Sequence, residues 1–479
     1  MNEDILELGL TELAAAIRKR KISSLAATRA CLDRAERLQP HLNCFISIEA
    51  DAALKAARAA DRALARGAKL GLLHGVPLAH KDLFYRKGRV STGGAKILRD
   101  YKPRVTATVV ERMQAAGAIW LGTLNMSEFA GNPTGHNEHF GDCRNAWNIE
   151  HVSGGSSSGS GVAVAARLCY GSLGSDTGGS IRHPAAFNGV VGLKPTQGRV
   201  SRFGVLPRSW SLDNVGPLAR SARDCARLMR VIAGADENDS TCSTERVPDY
   251  EKELGGSVKG LRIGVPTNYY YDSASADVRR RMEESLAALK SLGARVIELE
   301  VPDPQRLLDL SNVISQPEVA AVHGNWLRER SEDYSVWRGA IEPGLVVSAA
   351  SYLDAQMARP RLIQEFVEAV FRRVDLLHAP VYSRPVPTIA EATPRSAADI
   401  PRVQGISRNN RPANFLGIPA LSVPAGFSSN GLPVAFQLMG RPFSEPLLFR
   451  VGHAYQGVTD WHRRAPNLSR YLSRGAATR

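Results

Sequence analysis

From Leu72 onward the chain alternates short apolar runs, such as Val76 to Ala79, Ala118 to Leu121 and Val190 to Leu193, with Ala-rich helical patterns such as Val105 to Ala116. Apolar runs this short and this continuous suit strands buried on both faces, and helices between them would cover those faces. A largely parallel, buried sheet is expected. Upstream, Thr11 before Glu12 to Ile17, Ser24 before an Ala/Leu run ending near Pro40, and Ala50 to Arg66 closed by Gly67 read as three helices wrapping the sheet. The polar stretch 236–257 is a linker or long loop. Beyond it Leu261 to Pro266, Val278 to Leu292 and Ala294 to Val301 form a strand, helix, strand unit, and strands near Asp375 to Pro380, Ala420 to Val423 and Pro433 to Met439 would complete the sheet. A length of 479 residues suits two or three domains by itself, but 43% hydrophobic content without a long disordered tract also fits one large unit.

Composition narrows the setting. Six cysteines are scattered without a CxxC pair, which suits free thiols in a reducing compartment. The first residues are acidic where a secretory signal would be basic, and no apolar stretch approaches 18 residues, so a soluble cytoplasmic protein is expected, with no membrane partner. A net charge of +14 could attract nucleic acid, but the basic residues are dispersed and mostly arginine, so compositional bias is the preferred explanation.

Chemistry concentrates in two glycine-bracketed serine clusters, Gly154-Gly155-Ser156-Ser157-Ser158-Gly159-Ser160 and Ser175-Asp176-Thr177-Gly178-Gly179-Ser180, preceded by Lys81 in an apolar strand. Serine attacks a carbonyl only if a neighbour takes its proton and backbone amides hold the resulting oxyanion. Burial would lower the Lys81 pKa and make it a base; the competing reading pairs it with Asp82 at the surface. Glycines let the first loop double back and aim hydroxyls inward, ahead of a helix over Val162 to Ala166. In the second cluster Ser180 is expected to N-cap a short helix over Ile181 to Phe187. The amides of Thr177, Gly178, Gly179 and Ser180 would then converge as an anion-binding nest.

The stretches Gly75 to Asp82, Gly154 to Gly161 and Gly174 to Pro195 closely resemble the amidase signature family, with further likeness at Asn125 to Phe129, Ser211 to Leu218 and Gly417 to Pro424. The resemblance covers essentially the full length and implies a single large α/β/α domain, 1–479, around a mixed, mostly parallel central sheet. Within it, 1–70 would be the helical wrapping, 71–235 the signature core and 259–479 the part completing the sheet and substrate pocket. It also implies a Ser-Ser-Lys triad: Ser180 as nucleophile, Ser156 as bridging serine in a cis peptide, and Lys81 as base. Thr177, Gly178, Gly179 and Ser180 would supply the oxyanion hole. Met126 and Trp210 are expected to touch substrate, with Trp210 trimming the acyl pocket; an ordinary packed tryptophan is the alternative. Loops around Gly131 to Phe140 and Gln305 to Gly344 are expected to set specificity. The expected reaction is hydrolysis of a small-molecule carboxylic amide through a seryl acyl-enzyme, with no cofactor and no metal. Oligomeric state is open, a homodimer included.

Other readings compete. Gly155 to Gly159 formally fits GxSxG, with Ser157 as nucleophile and one of His183, His323, His378, His453 or His462 as base. The apolar strand that should precede such an elbow is missing. A phosphate loop of the Walker type is excluded because no Gly-Lys pair occurs, and no S-x-x-K sequence exists. His136-Asn137-Glu138-His139 could suggest a metal but lies in a Gly/Pro/Asn-rich loop, where a structural or substrate-lining role is expected. The family also includes the glutaminase (A-type) component of tRNA-dependent amidotransferases, which feeds ammonia to a partner. Against that alternative, Ile400 to Ser444, where that component presents an acidic group to the α-amino group of glutamine, contains no Asp or Glu. A non-catalytic interaction protein is the third reading; intact Lys81, Ser156 and Ser180 oppose it.

Overall fold

The apolar runs become the strands of one eleven-stranded sheet in the computed structural model, which describes residues 2–472. In chain order these are β1 (Phe45–Ile48), β2 (Pro77–Lys81), β3 (Ile119–Leu124), β4 (Gly171–Asp176), β5 (Val191–Lys194) and β6 (Asn214–Ala219). They continue as β7 (Arg262–Pro266), β8 (Arg295–Leu299), β9 (Leu376–Pro380), β10 (Ala420–Phe427) and β11 (Pro433–Gly440). Across the sheet the order is β1-β3-β2-β4-β6-β5-β10-β11-β9-β7-β8. β2 through β6 and β9 are buried at every residue, which is why they read as unbroken apolar or small-residue runs.

The architecture is α/β around a mixed sheet, but the sheet is not mostly parallel. Parallel pairing is confined to β2 with β3 and β4, and to β7 with β8 and β9. The six remaining neighbour pairs are antiparallel. A buried apolar run looks the same whichever way its neighbour points, so the pattern reports burial and not direction. The short 428–432 connection between β10 and β11 permits only a hairpin, which sets the antiparallel centre.

The N-terminal wrapping contains the expected helices, Leu10–Arg18, Ser24–Leu42 and Ala50–Ala65. It also contains β1, which adds an antiparallel edge to β3 and was not foreseen. Four residues between two helices carry little periodic signal. The strand start is held by the Gln39 carboxamide, which accepts from Phe45 N–H at 2.9 Å and donates to the Phe45 carbonyl at 2.8 Å. Downstream, the helix Ala276–Ser291 and strands β7 and β8 form the expected unit.

Adjacent placement of β2 and β4 builds the site. Their parallel register pairs Ala79 with Ser172 and His80 with Leu173. This brings the C-terminal ends of both strands together, and at such ends open α/β sheets present their functional loops.

Candidate active site

Lys81 ends β2 and is fully buried. Its Nζ donates to Ser156 Oγ at 2.6 Å and to Ser175 Oγ at 2.9 Å. Burial pushes its ammonium well below the usual lysine range; the Asp213 and Asp176 charges oppose this without overcoming it. Asp82 is not its partner. That carboxylate accepts from Thr92 N–H at 2.8 Å and Thr92 Oγ1 at 2.5 Å, and burial raises its pKa to about 6. A second buried lysine, Lys194, is pushed down to about 7, first by burial and then by the Arg182 charge, but donates to the Pro195 carbonyl at 2.7 Å. Among the described residues Lys81 is thus the lysine held against serine hydroxyls.

Ser156 follows a cis Gly155-Ser156 peptide bond. Its loop is fastened by Gly155 N–H to Pro133 O at 2.7 Å and Ser127 N–H to Ser156 O at 3.2 Å. Ser157, the GxSxG candidate, is fully buried; its hydroxyl lies 3.3 Å from both the carbonyl and the N–H of Ser175. None of the five candidate histidines is hydrogen-bonded to it among the described residues. His183, for example, meets Asn410 Nδ2 at 2.9 Å. The hydrolase-elbow reading therefore lacks its base.

Ser180 lies against the same loop, its carbonyl accepting from Ser157 N–H at 3.2 Å. Among the described residues its hydroxyl has no hydrogen-bond partner, and it lines a small cavity with Thr177 and Gly178. Ser180 is not an N-cap, contrary to expectation. The helix Arg182–Asn188 begins after Ile181, and the buried Asp176 carboxylate does the capping, accepting from Gly179 N–H at 2.7 Å, Ile181 N–H at 3.2 Å and Arg182 N–H at 3.4 Å. A carboxylate accepts several amides at once, so the Ser180 hydroxyl is left uncommitted. Gly179 likewise differs from expectation: its amide is spent on Asp176, leaving those of Thr177, Gly178 and Ser180 without protein acceptors among the described residues. Gly179 has φ +121°, and a Cβ there would fall 2.3 Å from His183 Cε1, so the turn requires glycine.

Asp176 itself is paired with the fully buried Arg182 at 3.1 Å. Burial would raise its pKa, but the Arg182 charge and hydrogen bonds from Arg182 and Asn414 hold it below the usual carboxylate range. Next to it, Thr177 Oγ1 donates to Asp213 Oδ1 at 2.5 Å, which braces the turn.

Two chambers meet here. One, about 20 Å³, is lined by Ser180, Thr177, Gly178, Asn132, Arg208 and Arg411 among others. The other, about 200 Å³, includes Ser175, Trp210, Arg202 and Asp213; Ala130 and Arg208 line both. Larger cavities of about 930 and 520 Å³ share no lining residue with either chamber. Trp210 is 55% exposed at the wider chamber, so it is not a packed core tryptophan. Met126 is fully buried, its carbonyl accepting from Asn137 Nδ2 at 2.7 Å, and it lines neither chamber. The loops expected to set specificity contribute Gly131, Asn132 and Pro133 on one side and Ser315 on the other.

Three residues at the site were not singled out by sequence reasoning. Ser175 stands inside a recognisable motif but carried no assigned role, although it sits one strand from Lys81. Arg208 and Arg411 have no local pattern that marks them. The histidines of the 136–139 segment have protein partners: His136 meets Thr134 Oγ1 at 2.6 Å and Thr393 Oγ1 at 2.7 Å, and His139 meets Glu128 Oε1 at 2.7 Å. No group of three metal-ligating side chains occurs among the described residues. All six cysteines are free thiols, and no described helix is long and apolar enough to cross a membrane.

Known proteins resemble this chain in sequence and in overall fold. A family model described as Amidase matches residues 26–449. The chain is 38% identical to the A-type component of glutamyl-tRNA(Gln) amidotransferase from Geobacter metallireducens, covering 96% of this chain and 99% of that protein. It is 41% identical to the corresponding protein of Pseudomonas putida, with the same coverage. Among solved structures, 6-aminohexanoate cyclic dimer hydrolase complexed with substrate aligns with TM-score 0.88 at 27% identity, over 97% of this chain and 99% of that one. The A-type component of the Thermotoga maritima glutamyl-tRNA(Gln) amidotransferase aligns with TM-score 0.80 at 32% identity, over 97% and 96%.

Proposed function

Because this chain belongs to the amidase family, we propose that it cleaves a carboxylic amide through an acyl-enzyme on Ser180, with Ser156 as proton relay and Lys81 as base. The observation that carries this reading is the buried Lys81 Nζ held 2.6 Å from Ser156 Oγ. Neutral Lys81 draws the Ser156 proton as Ser156 draws that of Ser180, whose oxygen attacks the carbonyl. The amides of Thr177, Gly178 and Ser180 receive the oxyanion. Ser156 then returns a proton to the leaving nitrogen, and water repeats the sequence to release the acid.

Two forms of this chemistry are open to the chain. The relatives favour the glutaminase form, the A-type component of an amidotransferase, since proteins of that name match 95–97% of this chain at 38–41% identity. In that form the amide is glutamine, and partner proteins use the ammonia. A self-sufficient amidase is the second reading, supported by the absence of Asp and Glu from Ile400 to Ser444. Purified chain assayed alone for ammonia release from glutamine and from simple amides separates them. Strong glutamine preference, rising when candidate partner proteins are added, supports the first; broad amide hydrolysis without partners supports the second.

A further inference from the structure

One cation beside the nucleophile is unsatisfied. Among the described residues the Arg208 guanidinium donates no hydrogen bond to the protein, and its buried Nη1 has no partner. A buried donor on a charged group left unpaired is costly, so a site that keeps one is shaped for an acceptor that arrives from outside. Asp213 attracts it electrostatically, yet the Asp213 oxygens accept from the backbone amides of Arg208 (2.8 Å) and Ser209 (3.0 Å) and from Thr177 Oγ1 (2.5 Å). The neighbouring Arg202, by contrast, is bonded to Thr241 Oγ1 at 2.6 Å and lies 4.0 Å from Asp239.

Arg411 adds a second positive charge. Its guanidinium has only neutral partners, Asn312 Oδ1 at 2.8 Å and Gln404 Oε1 at 3.2 Å. It packs so close to the nucleophile turn that a Cβ on Gly178 would lie 3.4 Å from its Nε. Mutual repulsion between these arginines is felt at Arg411, where burial first and the Arg208 charge second push the pKa down to about 10. Two like charges sharing a chamber with no carboxylate in its lining are stabilised by an anion between them.

We infer that Arg208 and Arg411 form a carboxylate receptor, and that the substrates are monoamides of dicarboxylic acids, with the amide at Ser180 and the far carboxylate between the guanidiniums. The inference rests on the amide-hydrolase reading above and deepens it. Glutamine belongs to the class as a glutaramic acid with an added α-ammonium, but no carboxylate lines the smaller chamber to receive that ammonium. Nearby Glu318 is already saturated by the Ser209 and Ser211 hydroxyls, Tyr352 OH at 3.0 Å and Gln356 Nε2 at 3.3 Å.

The test compares ammonia release from glutaramate, glutamine and valeramide by the full chain, together with Arg208→Leu and Arg208→Lys variants. Glutaramate should exceed valeramide in kcat/KM by at least about tenfold, the scale of one charge-assisted hydrogen bond, and should be no worse than glutamine. Arg208→Leu should erase most of that ratio, and Arg208→Lys should keep part of it. A ratio near one in the wild type, or a ratio unchanged by Arg208→Leu, would overturn the receptor. Thermal stabilisation by glutarate, present in the wild type and reduced in Arg208→Leu, reads the same site without turnover; its absence from the wild type also counts against the receptor. Failure of the hydrolase reading looks different: no amide is cleaved and a fluorophosphonate does not label Ser180, whatever glutarate does.

Discussion

Lys81 has two hydroxyl partners, and among the described residues no carboxylate bonds to it, so its charge is the expensive state at that position. The sign follows directly. A lysine whose folded pKa lies below its unfolded value of about 10.4 weakens the fold as pH drops below that value, because the unfolded chain binds the proton more readily. Lys81→Met is therefore expected to raise the melting temperature at pH 7, by about 1 kcal/mol or more of stability. The same variant should lower kcat by about 10²- to 10⁴-fold, the usual worth of a positioned base. Thermal melts beside amide hydrolysis rates check both halves; a variant that loses stability along with activity would contradict the buried-base role. In the wild type, kcat/KM should climb with pH through the depressed lysine pKa and then level, and a climb centred near 10.4 would mean an unperturbed amine. That Lys81, Ser156 and Ser180 lie close together was legible in the sequence because each stands in a glycine-rich or apolar motif. Arg208 was not, since its meaning lies in the partner it lacks, and only three-dimensional neighbours reveal that.

The turn from β4 into the helix Arg182–Asn188 depends on one carboxylate. Asp176 caps the helix, fixes Gly179 and neutralises a fully buried arginine whose other partners are Gln437, Asn410 and Asn414. Removing its charge strands Arg182, so Asp176→Asn should cost about 3–5 kcal/mol, measured by denaturant unfolding. Its own pKa is held below the usual carboxylate range, so its contribution is present above about pH 3.9 and is lost only as pH falls through the lower folded value. Gly179→Ala should fold poorly or lose activity, because the side chain meets His183 and the φ is positive. Sequence reasoning located this turn and its glycines but assigned the cap to Ser180. Both serine and aspartate are ordinary capping residues, and which one lies over the helix end is settled by how far the strand runs.

At the scale of the whole molecule, strands distant in sequence are joined in one sheet, and the N-terminal helices tie down its edge. Leu10, Leu13 and Ile17 present one fully buried face from the helix Leu10–Arg18. Thr11 fastens that helix to Asp224 through its N–H and Oγ1, both at 2.9 Å. Leu13→Ala should cost about 2–5 kcal/mol, seen as a lower unfolding midpoint, while folded protein keeps its turnover rate because the residue is remote from both chambers. Buried strands and amphipathic helices were readable from periodicity. Sheet direction and the short β1 were not, since burial hides direction and four residues hold too little pattern.

The relay is tested most directly by Ser156→Ala assayed on an amide and an ester sharing one acyl group. Amide cleavage needs Ser156 to protonate the leaving nitrogen, whereas an alkoxide leaves more readily without help. The amide rate should fall about ten- to a hundredfold further than the ester rate, the part of general-acid catalysis that the ester does not need. Equal losses on the two substrates would contradict the relay.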